Sequence, residues 1–209
     1  MRYTVQQTSE ELANSITHGA GIAMGIAATV VLTVKAVAAA DPWRIVTYPL
    51  FGLTVILLYT ASTLYHAQTN PQYKARLKVF DHISIYFLIA GTYTPVTLVA
   101  MRGNWGWAIF AVVWGLALAG TVFKLFFTGR FPVVSTVLYI AMGWMAAAAV
   151  VPLIQSVPGR TLGWLLAGGL FYTFGVVFYA WRRLPFNHAI WHLFVLGGTA
   201  CHFVVVSML

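Results

Sequence analysis

His188 and His192 stand four residues apart in the segment His188-Ala189-Ile190-Trp191-His192. On an α-helix this spacing sets both imidazoles on one face, about 6 Å apart, and offers two ring nitrogens to one metal ion. Ala189 occupies the place that glutamate holds in the HExxH metalloprotease helix, so a general base has to come from another element. Asp81 is the carboxylate available for that task, either as a direct ligand or as the acceptor for a metal-bound water. Three histidines with an open water position make a catalytic type of coordination, which favours the second role. Ser62 and His66 are also four apart, and the serine hydroxyl can orient that ring or the water. The single cysteine, Cys201, lies in an apolar segment without a partner. Neither a disulfide nor a cysteine metal knuckle is available to the chain.

Other histidines have plainer readings. His18 and His82 fit interfacial residues bonded to backbone or lipid headgroups. His202 lies ten residues beyond His192, about 15 Å along a helix, too far to share one ion. It reads as a packed histidine, and no other span opposes it with a second haem ligand. The competing reading of His66, Asp81, His188 and His192 is a polar network that only joins helices.

The elements that position these groups follow from composition. Of 209 residues, 60% are hydrophobic and 8% are charged, which leaves too little polar surface to cover a water-soluble globule. Apolar runs at 16–40, 45–66, 80–101, 105–126, 132–153, 161–181 and 187–208 each suit the roughly 20 residues that a bilayer core requires. The fold class is therefore all-α, a polytopic bundle of seven transmembrane helices, with a short N-terminal segment at 1–15 and a transmembrane domain at 16–209. Asp41-Pro42, Asn70-Pro71, Arg102-Gly103-Asn104, Gly129-Arg130, Pro158-Gly159 and Leu184-Pro185 punctuate the runs. Trp43, Trp105, Trp107, Trp164 and Trp181 fall near expected helix ends, and Gly21 with Gly25 permits close helix packing.

The net charge of +8 is spread between the apolar runs rather than gathered on one face, which argues against a nucleic-acid partner. With the faces numbered alternately, the N-terminal side holds Arg2, Lys74, Arg76, Lys78, Lys124, Arg130, Arg182 and Arg183, eight basic residues, against Arg44, Arg102 and Arg160 opposite. Lys35 is left out of this tally because it can snorkel. The bias predicts a cytoplasmic N-terminus and an outside C-terminus. The first fifteen residues are polar and lack the order of a signal peptide. In this frame His18, His66, Asp81, His82, His188 and His192 all fall at one depth, near the cytoplasmic face. Ionisable groups are costly in a membrane, so their convergence marks a functional site.

Three separated motifs, Glu11-x-x-Asn14-x-x-x-His18-Gly19, Ser62-x-x-x-His66 followed by Asp81, and His188-x-x-x-His192, resemble the hemolysin III branch of the progestin and adipoQ receptor superfamily over essentially the whole chain. The resemblance implies seven helices and a zinc ion near the cytoplasmic face. His66, His188 and His192 would bind the metal, Asp81 would hold a zinc-bound water, and Ser62 would support that water or a ligand. Glu11, Asn14 and His18 would support the ligands or the local structure. Receptor members resemble alkaline ceramidases in site layout, which implies hydrolysis of a lipid amide or ester, with membrane lipid as substrate or ligand. A non-enzymatic sensor of lipid composition with a structural zinc is the competing expectation. A pore-forming hemolysin fits less well, because the outer halves of the helices carry almost no polar residues. The short loops suit a multi-pass protein of a bacterial inner membrane.

Overall fold

The computed structural model describes residues 2–209, with side chains from Gln6 onward; Arg2, one of the eight basic residues, has its side chain outside this description. The helices are α1 (Arg2–Ala38), α2 (Pro42–Ala67), α3 (Pro71–Pro95), α4 (Asn104–Phe127), α5 (Pro132–Gly143), α6 (Val150–Ser156), α7 (Gly159–Ala180) and α8 (Asn187–Met208). A π-turn at Val96–Ala100 extends α3, and a 3-10 turn at Met145–Ala149 joins α5 to α6. The result is seven spans long and apolar enough to cross a membrane, with no strand among the described residues.

Two helices begin well before their apolar runs. Helix α1 starts at Arg2 rather than near residue 16, because Gln6, Gln7, Glu10 and Glu11 are good helix formers although polar. Helix α3 starts at Pro71, where the Asn70 side chain accepts the Gln72 amide at 2.9 Å and proline fits the first helical position. His18 and Asp81 therefore stand well inside their helices, not at the starts expected from hydropathy. Hydropathy marks where lipid contact begins, and a helix can precede it.

The fifth apolar run is not one continuous helix. Pro152 has no N–H to donate one turn back, and the chain tightens into the 3-10 turn just before it. Tyr93 repairs the break: its hydroxyl donates to the Gly143 carbonyl at 2.7 Å and accepts the Ala146 amide at 2.9 Å. Irregular backbone at membrane depth requires such a protein partner.

Helix α3 lies at the centre, with 78% of its apolar window buried, whereas α1, α4, α7 and the fifth span bury 17–28%. One core cluster packs Tyr86, Ala90 and Tyr93 of α3 against Ile109, Val113 and Ala117 of α4 and Met142 and Leu153 of the fifth span. The other packs Leu32, Phe51, Val55, Tyr59 and Leu88 with Val195 and Val206 of α8. Val30, Val34, Phe126, Val133 and Phe174 point outward, as lipid-facing side chains do. Lipid supplies no hydrophobic force between helices, so close backbone approach holds them together. Gly21 and Gly25 of α1 pack on Tyr59 and Val55 of α2, and Gly91 of α3 receives the Thr54 side chain.

At the end away from the histidines, the Lys35 ammonium donates to the Ser207 carbonyl at 2.7 Å and Arg44 to the Leu209 carbonyl at 2.5 Å. Asp41 caps α2 there and pairs with Arg102. Desolvation pushes its carboxyl up, but the bonds from Arg102 and from the Trp43 and Arg44 amides outweigh this and hold it below the usual carboxylate range.

Candidate metal centre

His66 lies in the last turn of α2, and His188 and His192 lie in the first two turns of α8. One nitrogen from each of the three falls within 4.8 Å of the other two. The ring centroids form a triangle: 4.9 Å from His66 to His188, 5.1 Å from His66 to His192 and 4.6 Å from His188 to His192. His66 and His192 are 6% and 1% exposed, whereas His188 is partly open.

Hydrogen bonds fix which nitrogen is free. His66 Nδ1 meets Glu11 Oε2 at 2.6 Å, and the carboxylate only accepts, so Nδ1 carries the proton. His66 Nε2 is left buried without a protein partner. His192 Nδ1 meets the Asn14 carbonyl at 3.2 Å and Thr17 Oγ1 at 3.0 Å. A carbonyl only accepts, and the Thr17 hydroxyl already donates to the Ala13 and Asn14 carbonyls at 2.9 Å, so this ring too is protonated at Nδ1. Both rings thereby leave Nε2 unprotonated, the tautomer that an imidazole needs to bind a metal through that nitrogen. An orphaned buried Nε2 on His66 within a three-nitrogen cluster fits a divalent cation, and imidazole without thiolate suits zinc, copper, iron or nickel.

Helix α1 supplies the support. Glu11, Asn14 and His18, spaced three and four apart, share its inward face. Lys74 holds the other Glu11 oxygen at 3.1 Å. The His18 ring stacks on His192 at 3.4 Å between centroids, 14° from parallel, and both its nitrogens are buried without partners. Stacking places it beside the cluster, and it is not one of the three converging residues.

Asp81, 9% exposed, is bonded by the Ser62 hydroxyl and feels the charge of His66. Among the described residues no carboxylate belongs to the nitrogen cluster, so Asp81 stands beside the three rings rather than among them. His82 donates to the Lys78 carbonyl at 2.7 Å, leaving its ring 3.7 Å from Asp81. His202 bonds the Leu165 backbone and packs against Tyr172 at 5.5 Å, away from the cluster. Thr17 carries no sequence signal beyond its place beside His18, and Lys124, which the charge pattern makes a topology marker, is 1% exposed.

A cavity of about 830 Å³ opens onto His66, Asp81, His188 and His192 and continues between Leu88, Val96, Leu153 and Leu165. Charged groups and the three histidines gather at one end, and the rest is lined mainly by apolar side chains with Thr92, Tyr172, Thr173 and His202 among them. This shape fits a ligand with a polar head and a long apolar tail.

The sequence profile described as Haemolysin-III related matches residues 6–203. Among curated proteins, the chain is 44% identical over 206 residues to "Hemolysin-3" of Bacillus cereus, covering 99% of this chain and 94% of that one. It is 47% identical over 197 residues to the "Hemolysin-3 homolog" of Bacillus subtilis (strain 168), covering 94% and 92%. It is 31% identical over 174 residues to the "Monocyte to macrophage differentiation factor" of Homo sapiens, covering 79% and 71%. No solved structure matches the chain.

Proposed function

The chain belongs to the haemolysin-III-related family, the hemolysin III branch of the progestin and adipoQ receptor superfamily, and is an integral multi-pass membrane protein; from this premise we propose that it is a zinc-dependent intramembrane hydrolase of a lipid amide or ester bond. The observation that carries the reading is the meeting of three imidazoles with the Asp81–Ser62 pair on the wall of a largely apolar cavity. His66, His188 and His192 would hold the zinc ion, which when bound would supply Lewis acidity and bring the pKa of water to about 7.

The chain's own groups do the rest. Glu11 and the Asn14 carbonyl hold the ligand tautomers. Asp81 accepts the proton of the attacking water and returns it to the departing amine or alcohol, while Ser62 fixes the carboxylate. The apolar walls hold acyl chains and exclude bulk water. The excess of basic residues at this end supports a site at the cytoplasmic face, and the short loops support a bacterial inner membrane. The test is fatty-acid release from a long-chain N-acyl lipid or its ester counterpart by metal-loaded protein. Turnover that persists in Asp81→Asn removes Asp81 as the base, whereas absence of turnover from wild type with every such lipid argues for the second reading.

That second reading is a lipid-composition sensor in which zinc is structural. It is favoured by one specific observation, that the cluster and its supports tie α1, α2 and α8 together. Chelation then lowers thermal stability sharply while no lipid is consumed.

A further inference from the structure

Lys124 stands one turn from the end of α4, the depth at which a lysine ordinarily snorkels to the headgroups, yet it turns inward and is 1% exposed. Its ammonium donates to Ser135 Oγ at 2.6 Å and lies 5.6 Å from the centre of the Tyr139 ring. Ser135 spends its own proton on the Phe131 carbonyl at 2.9 Å, so its oxygen is free to accept from the lysine. Among the described residues no carboxylate pairs with Lys124, and the charge acting on it is another cation, Lys78. A buried ammonium carries three donors, and desolvating it without a counter-charge is costly. Such a group is retained where an anion completes it.

The place of that anion is set by the cavity. Lys124, Lys78, His82 and Ser135 line the same chamber as the three histidines, at its polar end, and the chamber runs on into apolar walls. Two ammonium groups on one chamber at headgroup depth, one of them oriented by Ser135, match an anion with several oxygens and more than one charge, and lysine binds phosphate as a point charge. We propose that Lys124, with Lys78, forms an anion subsite that holds the phosphate head of a lipid while its acyl chains fill the apolar part of the cavity. The inference rests on the reading of this cavity as a lipid site, and it is independent of metal and of turnover.

The test titrates the purified full chain, in a detergent with an uncharged head, with three probes: a diacyl phosphatidic acid, a diacylglycerol with the same chains, and inorganic phosphate. Wild type is expected to bind the phosphatidic acid at least about ten-fold more tightly than the diacylglycerol, with free phosphate far weaker. Lys124→Met is expected to lose that preference while binding diacylglycerol normally, and Lys124→Arg to keep most of it. The Lys124→Met protein without lipid is expected to melt no lower than wild type, since the change removes an uncompensated buried charge. A lower melting temperature with the preference intact would identify a structural tie between α4 and α5 and overturn the proposal. Should Lys124→Met fail to fold, the half-buried Lys78→Met supplies the same comparison, with a smaller loss expected. Diacylglycerol binding without any phosphate preference sinks the subsite and leaves the lipid cavity standing; failure of both lipids to bind sinks the cavity reading as well. Free phosphate binding as tightly as the lipid overturns the lipid assignment.

Discussion

Glu11 Oε2 lies 2.6 Å from His66 Nδ1, although 55 residues separate the two. The carboxylate is itself held by Lys74, so one chain of contacts runs from the start of α3 through α1 to a candidate ligand on α2. A carboxylate behind a metal-binding imidazole fixes its tautomer and raises its basicity.

Glu11→Gln keeps the size of the side chain and removes its charge. It is expected to weaken zinc binding by about 10–100-fold, as loss of a partner behind a metal ligand does. Competition against a chromophoric chelator measures this. Unchanged affinity would mean that Glu11 serves only the α1–α2 contact.

Asp81 stands outside the nitrogen cluster but bonded to Ser62, a position suited to a base rather than a ligand. Asp81→Asn is therefore expected to retain zinc and to lose turnover by about 10²–10⁴-fold. Loss of the metal along with activity would instead make Asp81 a direct ligand.

Tyr93 supports the break in the fifth span through two backbone hydrogen bonds. Tyr93→Phe strands the Gly143 carbonyl and the Ala146 amide, a destabilisation of about 1–3 kcal/mol. Thermal unfolding in detergent should show a lowered midpoint with zinc content unchanged. A midpoint equal to that of wild type would show that the break finds other partners.

How much of this was legible in the sequence varies from residue to residue. The spans and the His188/His192 pair were readable, because a bilayer imposes a length and an α-helix imposes a four-residue spacing. The starts of α1 and α3 were not, since their first turns are polar and hydropathy is silent about helix outside lipid. The inward turn of Lys124 was hidden for a related reason. Helix α4 is apolar all round, so no amphipathic pattern gives its rotation; only the buried series Gly106, Val113, Ala117, Gly120 and Lys124 reveals the inner face. The motif on α1 pointed to Glu11, Asn14 and His18, but the contact of Asn14 with His192 needs the tertiary fold, because it is made by a backbone carbonyl, which every residue possesses.

Gly91 faces Thr54 so closely that an added Cβ would stand 2.0 Å from its hydroxyl oxygen. Gly91→Ala is expected to cost about 1–3 kcal/mol through displacement of α2 from α3. Adding Thr54→Ala should restore part of the loss, read as the melting temperature of both variants, by removing Oγ1 and Cγ2, although the Cβ at 54 still stands 2.8 Å from the new methyl. Failure of the second change to rescue the first would place the strain elsewhere than at this contact.

The central claim is that His66, His188 and His192 hold one zinc ion. Elemental analysis of chelator-free, detergent-purified wild type beside the His188→Ala/His192→Ala double variant tests it most directly. The account predicts near-stoichiometric zinc in wild type and none in the variant, whereas a wild-type protein without metal, or a variant that keeps it, contradicts the account and leaves the cluster as a network that joins helices.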